Sequence, residues 1–168
     1  MLDRIALSLT MPLLLAAGVP ENWKAFESKP GRFAVAFPAT PKETTQTVAT
    51  ATSKLQVTLF VAEGRNDASF VVSFLDYSQK DLKTGSIDKR LDLARDGAVS
   101  STGGKLKSET PIELAGHKGR DLVIEKDGTA IARMRIYFVE RRLYQVMVLG
   151  NARDKDVVSF FDSFRLNK

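Results

Sequence analysis

Lys105–Leu149, KLKSETPIELAGHKGRDLVIEKDGTAIARMRIYFVERRLYQVMVL, is the stretch whose reading decides the fold. Lys105 to Leu114 and Arg120 to Lys126 flank the turn Ala115-Gly116-His117-Lys118-Gly119. Asp127-Gly128 is a strong signal for a two-residue hairpin, because both positions tolerate the positive φ that such turns demand. It leads into Ile131 to Val139, then a turn at Glu140-Arg141-Arg142, then Leu143 to Leu149. Short apolar runs joined by tight turns predict an antiparallel meander.

Working outward from this meander, the rhythm changes from strand to helix. Upstream, Ile87, Leu91, Ala94 and Ala98 recur at helical spacing behind Ser86, a good N-cap, and Gly103-Gly104 closes the segment. The opposite face is charged, with Asp88, Lys89, Asp92, Arg95 and Asp96. Gly97 costs about 1 kcal/mol relative to Ala, so the second half of this helix is expected to fray. Downstream, a helix starts near Asp154, with Val157, Phe160 or Phe161, and Phe164 as its apolar stripe.

Further upstream the chain reads as strands. Phe70 to Tyr77 is nearly all apolar and suits a central strand covered on both faces. Gly64-Arg65-Asn66-Asp67 is a hairpin loop behind Leu55 to Ala62, where Leu55, Val57, Leu59 and Val61 alternate with their neighbours. Thr44 to Thr52 is threonine-rich and suits an exposed edge strand. After Trp23 and Phe26, a turn at Lys29-Pro30-Gly31 precedes Arg32 to Phe37. There Phe33, Val35 and Phe37 alternate with alanines in the period of a half-buried strand. Strands, a helix, a meander and a helix predict an α+β fold, with one antiparallel sheet and helices packed against it.

Residues 1–18 place the protein. Arg4 supplies a small positive region, Ile5 to Ala17 is mostly apolar, and Ala16-Ala17-Gly18 puts small residues before Val19. That is the layout of a secretory signal peptide, and the apolar run is short for a membrane span. Asp3 is awkward there, and an N-terminal helix packed on the domain is the alternative. Residues 19–168 then form one domain with no membrane anchor after cleavage, and the expected location is periplasmic or extracellular.

Composition excludes several function classes. The hydrophobic fraction of 43% and charged fraction of 27% are those of a globular protein. With no cysteine, thiol catalysis, iron–sulfur ligation, zinc–cysteine sites and a lipoprotein anchor are all ruled out. The net charge of +5 is spread through mixed-sign stretches such as Asp88-Lys89-Arg90-Leu91-Asp92, without a basic block. No nucleic-acid partner is expected from that pattern.

The order of elements, together with Gly31-Arg32-Phe33-Ala34-Val35-Ala36-Phe37-Pro38 after the leader, resembles the PsbP-like proteins. Trp23-Lys24-Ala25-Phe26 and the ending Ser163-Phe164-Arg165-Leu166 are similar to those of uncharacterised exported bacterial proteins. The resemblance implies an α/β/α sandwich and a non-catalytic accessory role. These motifs are hydrophobic and structural, and no functional residue is carried over by them.

Tested for chemistry, the chain offers little. His117 is the only histidine; beside Gly116, Lys118 and Gly119 it reads as an exposed turn residue, and one histidine cannot build a multi-histidine metal site. No nucleophile elbow, Walker loop, dinucleotide fingerprint or helical His-Glu-x-x-His occurs. Gly103-Gly104-Lys105 follows a helix, whereas a phosphate loop precedes one. Asp76, Asp81, Glu109 and Glu125 offer carboxylates for acid–base work, but any chain with 20 acidic residues does so.

The candidate site is electrostatic. Arg133 and Arg135 share one face of their strand with Tyr137, Arg141-Arg142 lie at its end, and Arg120 and Lys126 occupy the neighbouring arm. This face would suit an acidic protein or small-molecule partner in the cell envelope, with Tyr137 and Tyr144 available for stacking. The competing reading has the arginine stems covering apolar surface while their heads reach water or pair with Asp121 and Glu125. The functional expectation is a non-enzymatic exported accessory or interaction module without a cofactor. Binding of a small ligand or anion by the arginine–tyrosine face is the alternative, and a carboxylate-based enzyme is the third reading.

Overall fold

The computed structural model describes residues 18–49, 54–83 and 85–167; the expected signal peptide, apart from Gly18, and the end of the threonine-rich segment lie outside them. A seven-stranded antiparallel sheet forms the centre, in the order β3-β4-β5-β9-β8-β7-β6. Its strands are β3 (Lys42–Ala49), β4 (Lys54–Glu63), β5 (Ser69–Asp76), β6 (Lys105–Leu114), β7 (His117–Lys126), β8 (Thr129–Val139) and β9 (Arg142–Leu149). β1 (Lys24–Ser28), β2 (Phe33–Phe37) and β10 (Arg165–Leu166) make a separate three-stranded sheet. The helices are α1 (Gln79–Leu82), α2 (Ile87–Thr102) and α3 (Asp154–Ser163).

Two sheets replace the single sheet that the alternation suggests. The expected half-buried strand, β2, is buried at all five positions. Its edges pair with β1 on one side and with β10, from the far end of the chain, on the other. Just before β10 begins, the Ser163 hydroxyl extends the ladder by accepting the Ala36 N–H at 3.0 Å. Backbone groups satisfied in this way leave β2 no edge with which to join the large sheet.

The large sheet separates two apolar layers. On one face β1, β2 and α3 pack Trp23, Phe33, Phe37 and Phe160 against Phe60, Phe70 and Tyr144. On the other, α2 lays Leu91 and Ala98 on Leu122, Ile124, Ile136 and Phe138. β5 is central and covered on both faces, as its composition predicts, and β3 is an edge strand exposed along its whole length.

Local signals explain the boundaries. The Ser86 side chain accepts from the Lys89 N–H to start α2, and Gly103 closes it with φ 64°. The helix runs past Gly97 to Thr102 without fraying, because Ala98 beyond the glycine is buried against the sheet. Asp127-Gly128 has φ of 52° and 78°, the backbone of the anticipated hairpin turn. The β6–β7 turn is tighter than expected: Ala115-Gly116 alone makes it, with φ of 50° and 81°. His117 is therefore not a turn residue; it is the half-buried first residue of β7, paired with Leu114.

Candidate functional site

Strand alternation does put Arg133, Arg135 and Tyr137 on one face of β8, but that face looks inward onto α3. Arg133 Nη1 lies 2.7 Å from the Asp154 carboxylate. Arg135 binds Asp121 at 2.8 Å and Asp162 at 3.3 Å, with its guanidinium 4.9 Å from the centre of the Phe161 ring. Tyr137 is 5% exposed and stacks on Phe164 at an interplanar angle of 4°. Burial pushes its phenol above the ordinary tyrosine range.

Arg142 departs furthest from its expected place. It is the first residue of β9, not part of the preceding turn, and it is buried. Its Nε and Nη2 bind both oxygens of Asp76 at 2.7 and 2.6 Å, and Nη1 donates to the Pro30 carbonyl at 2.8 Å. The guanidinium sits 4.4 Å from the Phe74 ring centre. Next along the same face, the Tyr144 hydroxyl donates to the Gly31 carbonyl at 2.6 Å. These two side chains clamp the β1–β2 turn to the large sheet. The hydrogen bonds from Arg142 hold the Asp76 carboxyl below its ordinary range. Of the five expected residues, Arg141 alone is both exposed and without an ion pair among the described residues.

The scattered carboxylates are likewise engaged. Glu109 lies between Arg95 and Arg120, which also reaches Asp92 at 3.4 Å and Asp88 at 3.6 Å. This network fastens one flank of α2 to β6 and β7. Asp81 caps α1 through the Ser78 hydroxyl and N–H, and Glu125 pairs with Lys107 at 3.1 Å. Among the described residues no group of three histidines or acids is placed to hold a metal ion.

The other flank of α2 holds a cavity that the sequence reading missed. The helix lies over β7 and β8, while the same face of the sheet continues through β9, β5, β4 and β3. Between them is a groove of about 870 Å³. Leu55, Val57, Leu75, Leu143 and Met147 line it from the sheet, and Leu93, Ala94 and Gly97 from the helix. Leu93 is 60% exposed. A side chain on Gly97 would meet nothing within 4 Å at its Cβ. Gln46 at the β3 edge and one polar pair interrupt the apolar floor: the buried Ser73 hydroxyl donates to Gln145 Oε1 at 3.0 Å. Tyr77, Asp81, Lys89 and Arg90 stand at the end nearest the start of α2. The signals were present in the sequence as Leu93, outside the helix's apolar stripe, and as a glycine in mid-helix.

No protein-family model matches the chain, and no curated protein matches it. A solved structure does: cyanobacterial PsbP (CyanoP) from Synechocystis sp. PCC 6803, in solution. It superposes with a TM-score of 0.53 at 12% sequence identity, over 86% of this chain and 92% of that one. The fold is PsbP-like; at that identity the likeness speaks for the fold alone.

Proposed function

We propose that this protein is an exported, non-enzymatic binding module that works through the groove between α2 and the sheet. The groove carries the reading: it is concave and mostly apolar, holds a polar pair in its floor, and falls within the roughly 300–1,000 Å³ of small-molecule sites. The acids and arginines weighed for catalysis or anion binding are, except Arg141, tied to partners within the chain. That pattern favours binding over acid–base chemistry. It also weighs against the arginine–tyrosine face as an anion site, since an incoming anion would have to displace Asp154, Asp121, Asp162 or Asp76. Export rests on the small-residue junction Ala16-Ala17-Gly18 behind a short apolar run.

Two measurements test this. The uncharged fluorophore N-phenyl-1-naphthylamine should bind the purified protein saturably, and Leu93→Asp should weaken that binding. Absence of saturable binding, or binding indifferent to Leu93→Asp, refutes the groove. N-terminal sequencing of the native protein should begin at Val19; an intact Met1 on cytosolic material refutes export.

A further inference from the structure

We infer that the groove takes a single-chain amphiphile, with an alkyl or acyl chain lying along α2 and an anionic head group at Lys89. The inference rests on the groove being a binding site and adds the chemistry of what fills it. The groove follows the helix from Lys89 to Ser101, a rise of about 18 Å, so it is long as well as apolar. Such a slot fits an extended chain better than a compact ring.

Gly97 is the second observation. Glycine in a helix interior costs about 1 kcal/mol relative to alanine, and a glycine that admits close packing recovers that cost. Here nothing approaches, and a Cβ would project into open space within the groove. The position sacrifices helix stability and leaves the slot clear beside Leu93, whose side chain is mostly in water without a ligand.

The polar groups orient the occupant. Ser73 donates to Gln145 Oε1, so the amide presents its NH₂ as a donor in a floor that is otherwise apolar except for Gln46 at the β3 edge. The amide seeks an oxygen acceptor, such as the carbonyl or head-group oxygen of an amphiphile. At the rim, Arg90 is tied to the Gly85 and Asp81 carbonyls at 2.8 Å each and lies over the Tyr77 and Phe138 rings. The Asp81 carboxylate is turned to Ser78. Lys89 is exposed and has no ion pair among the described residues, so it is the rim cation available to an anion.

The test uses two probes on the purified protein: 11-(dansylamino)undecanoate, which is an anionic alkyl chain, and uncharged N-phenyl-1-naphthylamine. The anionic probe should bind at one site and be displaced by dodecanoate more strongly than by dodecanol. Gly97→Phe should weaken both probes at least about tenfold by filling the slot. Gly97→Leu serves the same purpose should the phenylalanine variant not fold. Lys89→Glu should weaken the anionic probe about fivefold and leave the uncharged one unchanged, while Lys155→Glu on α3 changes neither. If the uncharged probe binds and the anionic one does not, or Lys89→Glu leaves its affinity intact, the amphiphile is overturned and the groove stands. If the uncharged probe does not bind saturably, the groove reading itself falls.

Discussion

Replacing Arg142 by methionine distinguishes a structural clamp from an anion-binding residue. Arg142 is 7% exposed, and its guanidinium holds both oxygens of Asp76, the Pro30 carbonyl and the face of Phe74. Hydrogen bonds to charged groups contribute about 1.5–3 kcal/mol, and removing one member of a fully buried pair costs about 3–5 kcal/mol. The Asp76 side chain keeps 34% of its surface in water and can rehydrate, so its share is discounted. Methionine retains some contact with Phe74. The expected loss is about 2–3 kcal/mol, and Arg142→Lys, which keeps the charge but not the fork, should lose roughly half of that. Urea unfolding followed by the fluorescence of buried Trp23 measures it. The pH dependence has a fixed sign. Arg142 lowers the native pKa of Asp76, so the stabilisation is complete above the unfolded value of about 4 and is lost as pH falls through the lower native value. The gap between parent and Arg142→Met should therefore narrow between pH 6 and about pH 2. A gap below about 0.5 kcal/mol, or one that does not change with pH, refutes the clamp.

Other substitutions follow from the packing and are read by the same titration. Phe160→Ala should cost about 3–5 kcal/mol, since its ring is fully buried against Trp23, Phe37 and Phe70, while Val158→Ala on the exposed side of α3 should stay within about 0.5 kcal/mol. Gly119→Ala should cost about 1–3 kcal/mol, because its Cβ would lie 2.5 Å from the Ile136 carbonyl oxygen and from the Tyr137 ring. Ser86→Ala should cost about 1 kcal/mol through the lost N-cap of α2. His117→Ala should shift stability by no more than about 0.5 kcal/mol, and a loss of several would reveal a buried role for the imidazole.

The legible parts of the fold were those that local chemistry writes. Asp127-Gly128 announces its hairpin, Ser86 its helix, and the apolar run of β5 its central position. The division into two sheets was not legible, because it depends on Arg165 pairing with Ala34, and neither residue's neighbours name the other. The Arg133 and Arg135 face was correctly assembled from period-two alternation, but its occupants were not. Asp154 and Asp162 arrive from a helix whose docking position no strand pattern encodes. The groove escaped for a related reason: a cavity depends on where α2 stops covering the sheet, which is a property of two elements together. Gly97 gave a local sign of it, and helix propensity alone read that sign as fraying.

The small sheet sets an order on how the chain assembles. β2 is stitched to Ser163, 127 positions later, so one edge of this strand stays unpaired until nearly the whole sequence has been made. Phe33 and Phe37 gain their neighbours Phe164 and Phe160 only then, and contacts so distant along the chain slow the search for the native state. Until that pairing forms, the β1–β2 hairpin carries an unpaired apolar edge, the kind of feature that makes partly folded chains prone to association. Closure by Ser163, Arg165 and Asn167, which donates to the Arg32 carbonyl at 2.9 Å, then acts as the last fastening.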